Sequence, residues 1–340
     1  MAARGEVGGV KPVVCSLVNP MANHPSSSPR LVLDLKNILG ESPVWDVQAQ
    51  VLLWIDIEGK TLHTYSPADE RSASFSLPKR AGSIALREAD DGLLFAFEDG
   101  FAIFNPFVTE TNAAKPPKYI PDEAYIETEP YRQHALVRLN DGRCDRRGRF
   151  IAGGYNGDEG DTSMNRDWEA DCGVYAVEAG KGDASFAARE LLPFKVRCAN
   201  SICFSPDGSH LYFTDSPHRE IWVFDYDQAT GRVVVDSRRV FATVPPPGVP
   251  DGSCVDSAGY LWNAEFFSGR VVRYSPEGEV DRVVQLSVSR VTCPCLGGRD
   301  LKTLFLTSAS LGVEGKEEGA GGLWAMEVET PGLPEGRFMG

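Results

Sequence analysis

Apolar and polar positions along this chain alternate in short runs, and the runs recur as one unit. A short apolar strand leads into an Asp/Gly turn, a second strand, another turn, and a strand ending in an aromatic residue, often followed by Pro. The first copy reads Ser42-Pro-Val-Trp-Asp, then Val51-Leu-Leu-Trp-Ile-Asp, then Thr61-Leu-His-Thr-Tyr-Ser-Pro. Further copies begin at Gly82-Ser-Ile-Ala-Leu, Arg138-Leu-Asn-Asp-Gly, Asn200-Ser-Ile-Cys-Phe, Asp251-Gly-Ser-Cys-Val and Val291-Thr-Cys-Pro-Cys. Six units spaced roughly 40 to 60 residues apart predict an all-β, six-bladed β-propeller. The 3.6-residue period of a helix is nearly absent, which argues against an α/β fold. Arg30-Leu-Val-Leu-Asp precedes the first full unit. It is expected to add the outer strand to the last blade and close the ring, so that no sheet edge is left open. Residues 30–340 are then one propeller domain. Residues 1–29, rich in Gly, Pro, Ser and Asn, form a mobile arm. Residues 105–133 and 155–171 are expected to be long connections, the second acidic, and such loops are often functional.

Charge narrows the partners. The 340 residues carry a formal net charge of −14. Nucleic acid and anionic membrane both want clustered Lys/Arg, so neither is expected as a partner, whereas a divalent cation would be attracted. No apolar run approaches the roughly 20 residues that span a bilayer. The N-terminus lacks a secretory h-region, no Asn-X-Ser/Thr sequon occurs, and the eight cysteines form no Cys-x-x-Cys pairs. Buried, reduced thiols and a cytoplasmic protein are the expectation. Cys293-Pro-Cys295 reads as packing. The five histidines show no metal-ligand spacing, and His63, mid-strand, reads as structural. No Gly-x-Ser-x-Gly elbow is present.

The chemistry gathers at the starts of the units. The first strand of each propeller blade lines the central channel, so polar residues at those starts converge on one mouth. Glu41, Asn140, Asn200 and Asp251 all fall there. Taken singly, Asn and Asp beside Gly merely begin turns. Taken together, two carboxylates and two amide carbonyls make a hard oxygen site suited to Ca²⁺, Mg²⁺ or Mn²⁺ rather than to a structural zinc.

Several stretches carry a family resemblance. Leu39-Gly-Glu-Ser-Pro-Val-Trp-Asp, Arg138-Leu-Asn-Asp-Gly-Arg-Cys-Asp, Asn200-Ser-Ile-Cys-Phe-Ser-Pro-Asp-Gly, Pro250-Asp-Gly-Ser-Cys-Val-Asp and Val291-Thr-Cys-Pro-Cys-Leu-Gly-Gly resemble, in order, the regucalcin/gluconolactonase (senescence marker protein) family. The resemblance implies a six-bladed propeller holding one divalent cation (Ca²⁺, Zn²⁺, Mn²⁺ or Mg²⁺) on Glu41, Asn200 and Asp251. It implies that Arg138 and Asn140 hold substrate oxygens, with Asn140 near the metal. Asp158 falls where some members carry a substrate-contacting acid. The family's usual Gly-Thr-Met before that acid reads Gly153-Gly154-Tyr155 here, a departure that bears on substrate identity.

The activity so implied is a carboxylic ester hydrolase opening sugar lactones such as gluconolactone. A lactone carbonyl gains negative charge as water attacks, and a divalent cation stabilises it as a Lewis acid. Asp251 is expected both to touch the metal and to take the water's proton, and Arg138 to bind substrate oxygens through its planar fork. A metal-dependent phosphotriesterase and a non-catalytic calcium-binding or scaffold protein are the other readings. Sequence leaves Tyr155, Trp168 and Phe266 open between lining the pocket and filling the cores between blades.

Overall fold

The computed structural model describes residues 28–88, 92–107, 137–157, 170–179 and 186–340, with the backbone of 118–119. Its strands form six four-stranded antiparallel sheets. The N-terminal strand β1 (Arg30–Leu33) pairs antiparallel with the last strand of the chain. Blade one is β2 (Gly40–Asp46), β3 (Val51–Asp56), β4 (Thr61–Ser66) and β5 (Arg71–Ser76). Blade two is β6 (Ala81–Leu86), β7 (Leu93–Phe97), β8 (Gly100–Phe104) and β9 (Lys118–Tyr119). Blade three is β10 (Val137–Cys144), β11 (Phe150–Asn156), β12 (Val174–Ala179) and β13 (Phe186–Glu190). Blade four is β14 (Ala199–Phe204), β15 (His210–Asp215), β16 (Glu220–Asp227) and β17 (Arg232–Thr243). Blade five is β18 (Val249–Val255), β19 (Leu261–Phe266), β20 (Arg270–Tyr274) and β21 (Val280–Gln285). Blade six joins β22 (Val291–Gly297), β23 (Thr303–Ser308) and β24 (Leu323–Glu327) to β1. The ring is therefore closed by the strand expected from Arg30-Leu-Val-Leu. Closure leaves that blade's edge paired, which is what a propeller needs.

The core is divided among the gaps between blades. Ile55, Ile84 and Phe95 fill the gap between blades one and two, and Phe101, Phe150 and Tyr175 the next. Ile151, Phe204 and Phe213 lie between blades three and four, and Tyr212, Leu261 and Tyr274 between four and five. Trp262, Leu306 and Trp324 lie between five and six. Trp45, Trp54 and Phe305 seal blade six against blade one, with Trp45 stacked on Phe305 at 5.8 Å. The innermost strands β14, β18 and β22 are buried along their whole length, because each has a neighbouring blade on both faces. The outermost β5 and β21 are largely exposed and polar.

Further features differ from the sequence reading or add to it. Tyr155, expected to begin a long loop, is the penultimate residue of β11. His63 is buried, stacks on Trp54 and shares a hydrogen bond with Ser74 Oγ through Nδ1, as a structural histidine should. The seven described cysteines are buried and unpaired, Cys293 and Cys295 among them. The chain beyond β24 crosses the far mouth of the channel. There Ser257 N–H donates to Pro331 O, Glu335 pairs with Arg143, and Phe338 N–H donates to Leu86 O. Phe338 is fully buried and Arg337 reaches Asp46, so this tail ties five blades together at the end remote from the candidate site.

Candidate functional site

The six innermost strands β2, β6, β10, β14, β18 and β22 stand side by side around the channel. Each breaks register with its hairpin partner near its N-terminal end: at Glu41/Val44, Ala81/Ser83, Leu139/Gly142, Asn200/Cys203, Pro250/Ser253 and Val291/Pro294. A bulge inserts unpaired backbone and re-aims a side chain. Here the repeated bulge turns Glu41, Asn140, Asn200 and Asp251 toward one another. Ser42 and Ser201, directly after Glu41 and Asn200, sit at φ 49° and 55°. Residues with side chains rarely adopt that left-handed conformation, and it persists where the surroundings enforce it.

The backbone groups freed by the bulges are taken up between blades. Ile84 N–H donates to Ser42 Oγ at 3.1 Å, and Ile202 N–H to Asp141 Oδ2 at 2.8 Å. Ser201 Oγ donates to the Asp251 carbonyl at 2.6 Å, and Thr292 Oγ1 to the Gly40 carbonyl at 2.5 Å. Gly252 is required at its position, because a Cβ there would lie 2.3 Å from Cys293 Sγ and 2.6 Å from its Cβ. The ring of strands is therefore tight at the level of the site.

A chain of side-chain bonds runs across three blades. Arg138 Nη1 donates to Asn140 Oδ1 at 2.6 Å and to the Leu139 carbonyl at 3.1 Å. Asn140 Nδ2 donates to Asn200 Oδ1 at 3.0 Å and to the Ala199 carbonyl at 2.9 Å. Asn200 Nδ2 donates to Ser216 Oγ at 2.9 Å, and Ser216 Oγ to the Pro250 carbonyl, next to Asp251, at 2.7 Å. The Arg138 guanidinium lies over the Tyr155 ring at 4.6 Å. Among the described residues, its hydrogen bonds to Asn140 and Leu139 both come from Nη1.

The electrostatics point to missing positive charge. Glu41 is 9% exposed and Asp251 8%. Burial first, then the Asp141 carboxylate, raises Glu41 from 4.5 to about 8, while the Ser42 N–H and Arg138 pull it down. Burial, followed by Glu41 and Asp141, raises Asp251 well above the carboxylate range. Arg138 is the guanidinium that faces Glu41 and Asp251, while Arg143 faces Asp141. Among the described residues no cluster of three His, Cys, Asp or Glu side chains is arranged to hold a metal. The two carboxyl groups and the Asn200 carbonyl nevertheless form an all-oxygen donor set, and a divalent cation among them would take the place of the protons that burial holds there. The residues fit such an ion.

Of the residues expected from sequence, Glu41, Arg138, Asn140, Asn200 and Asp251 come together at this mouth, and Asp158 lies outside the described residues. Trp168 does too. Phe266 is buried at the rim between Val249 and Ala309, and Tyr155 lies beneath Arg138. Sequence reasoning missed Asp141 and Ser216. Asp141 sits in Asn-Asp-Gly and Ser216 precedes Pro217, so both read as turn formers.

Comparison with known proteins shows the family and the fold. Residues 39–310 match the family model described as SMP-30/Gluconolactonase/LRE-like region. The chain is 35% identical over 322 residues to L-arabinolactonase of Azospirillum brasilense, covering 93% of this chain and 97% of that protein. It is 31% identical over 315 residues to 6-deoxy-6-sulfogluconolactonase of Pseudomonas putida, covering 92% and 98%. The crystal structure of a calcium-binding protein, regucalcin, from Agrobacterium tumefaciens superposes with a TM-score of 0.77 at 25% identity, covering 92% of this chain and 97% of that one.

Proposed function

Because this chain belongs to the SMP-30/gluconolactonase/LRE-like family, we propose that it is a divalent-metal-dependent lactonase that opens aldonolactones to the free sugar acid. The observation that carries the reading is the pair of buried carboxyl groups, Glu41 and Asp251, both raised by burial and by neighbouring carboxyl groups, beside an Arg138–Asn140–Asn200 chain. A scaffold that merely docks partners has no use for such a costly arrangement, since buried like charges are unfavourable.

Glu41, Asn200 through Oδ1, and Asp251 would hold the cation. When bound, it supplies Lewis-acid stabilisation of the negative charge developing on the lactone carbonyl oxygen, worth several kcal/mol. Arg138 binds the substrate's carbonyl or hydroxyl oxygens through Nε and Nη2. Asn140 and Tyr155 hold the guanidinium plane in place, so little orientation is lost on binding. With the site's negative charge balanced, Asp251 is ionised and accepts a proton from the attacking water. General-base help of this kind typically adds about 10²- to 10⁴-fold. The new bond joins the water oxygen to the carbonyl carbon, the ring C–O bond breaks, and the proton passes to the departing ring oxygen. The buried wall keeps bulk water away from these groups.

Asp251→Asn tests the assignment, with metal content measured on the same sample. A metal-loaded variant should retain less than about 1% of the wild-type rate. Full turnover by that variant would remove Asp251 from the reaction.

A further inference from the structure

Arg290 immediately precedes β22 and is two residues from Thr292. The ladder of blade six still reaches it, because Ala309 N–H donates to the Arg290 carbonyl. Side chains two apart on a strand share a face. Arg290 therefore stands on the channel side, one layer nearer the mouth than Thr292, whose hydroxyl touches the residue before Glu41. In the same layer Leu39 and Val249 pack with Phe266, Phe267, Ala309 and Leu311 into an apolar rim. The Arg290 guanidinium lies against that rim, 5.4 Å from the Phe266 ring centre and 5.2 Å from that of Phe267. Phe267 is held at φ 73°, a strained conformation for an aromatic residue.

No carboxylate among the described residues forms an ion pair or hydrogen bond with this guanidinium. Arg290 is only 9% exposed, and its Nε and Nη1 are buried without a hydrogen-bond partner. The nearby acids are already engaged. Glu317 takes the N–H and hydroxyl of Ser289, both at 2.7 Å, and Glu314 takes Gly312 N–H at 2.8 Å. Burial accordingly presses the Arg290 pKa below its ordinary value. Aromatic faces stabilise a cation only in part, and buried N–H groups without acceptors are unfavourable. Glu317 and Glu314 act on the guanidinium only through space.

We propose that Arg290 anchors a small oxyanion, a carboxylate or phosphate group, at the end of the lactone substrate remote from the ring carbonyl. The inference rests on the lactonase reading and deepens it by naming a substrate class. Two strand residues separate Arg290 from the Thr292 layer, roughly 6.6 Å along the strand, a distance a short sugar chain can bridge. The fork of the guanidinium suits a planar or tetrahedral oxyanion held by two parallel bonds.

The test uses open-chain sugar acids, which the enzyme does not turn over. A six-carbon aldonate, the matching aldarate and the 6-phosphoaldonate are titrated calorimetrically into the metal-loaded full chain. At least one of the two multiply charged acids should bind about ten-fold tighter than the aldonate or better, and which one does so distinguishes carboxylate from phosphate. Arg290→Met should erase that preference. It should also unfold at a higher temperature than wild type without ligand, since it removes an unpaired buried cation. Equal binding of all three acids overturns the inference and leaves the lactonase reading standing. A preference that survives in Arg290→Met, or a lowered melting temperature with the preference intact, overturns it too and assigns Arg290 to packing. Failure of all three acids to bind would overturn the lactonase reading, and this inference with it.

Discussion

Asn140 Nδ2 donates to Asn200 Oδ1 across 3.0 Å, joining the innermost strands of blades three and four at the channel mouth. The same amide accepts Arg138 Nη1 at 2.6 Å, so one side chain sets the position of both an expected metal ligand and an expected substrate-binding group. Asn140→Leu keeps the volume and removes both bonds. Losing buried hydrogen bonds of this kind costs about 1 to 3 kcal/mol. The variant should lose about 10- to 100-fold in kcat/KM toward an aldonolactone, measured by steady-state kinetics on protein whose circular dichroism matches wild type.

Glu41 and Asp251 should make opposite contributions with and without metal. In the stripped protein the two carboxyl groups destabilise each other, so Glu41→Gln should raise the melting temperature. With a divalent cation at 100 times its dissociation constant, wild type gains about 2.7 kcal/mol, and Glu41→Gln should gain far less. Thermal unfolding in chelator and in saturating metal reads both signs. A variant that melts below wild type in chelator would contradict the charge argument.

The pH dependence follows from the same pair. Glu41 has its folded pKa raised from 4.5 to about 8. Between those values the folded state holds a proton that the unfolded chain has released, so unfolding releases protons and stability falls as pH rises. The metal-free melting temperature should therefore decline from about pH 5 to about pH 8 through this site. Saturating cation should flatten the decline, because the ion replaces the proton. Melting curves at several pH values, with and without chelator, test the difference within one protein.

The tail that crosses the far mouth should be integral to stability. Phe338 is fully buried, and Phe→Ala at such sites costs about 3 to 5 kcal/mol. Glu335→Ala would remove the ion-pair partner of the part-buried Arg143, a smaller loss of about 1 to 3 kcal/mol. Urea unfolding should show both losses, and both variants should keep their metal affinity, because the tail lies at the other end of the channel.

Much of this was legible in the sequence because the repeat imposes itself on every level. Each unit repeats the apolar strand and the Asp/Gly turn, and the blade starts put Glu41, Asn140, Asn200 and Asp251 at related places. Even the closing strand was visible, since Arg30-Leu-Val-Leu has no hairpin partner next to it in the chain. What sequence could not carry was contact between distant positions. Asp141 looks like a turn residue until Ile202 N–H is seen donating to it across a blade boundary. Ser216 looks like the start of a Pro turn until it links Asn200 to the Pro250 carbonyl. Tyr155 reads as the start of a loop, and its position under Arg138 emerges only from pairing. Arg290 carried no pattern at all, and only its burial without a partner marks it.

The central claim is metal-dependent opening of a sugar lactone at the Glu41–Asn200–Asp251 mouth. The most direct measurement is hydrolysis of a panel of aldonolactones by purified protein, before and after EDTA, with Ca²⁺, Mn²⁺, Zn²⁺ or Mg²⁺ added back. The account predicts turnover that the chelator abolishes and at least one cation restores, with Asp251→Asn inactive under the restoring condition. Undiminished hydrolysis in EDTA, or no hydrolysis of any lactone by protein shown to hold its metal, would contradict it.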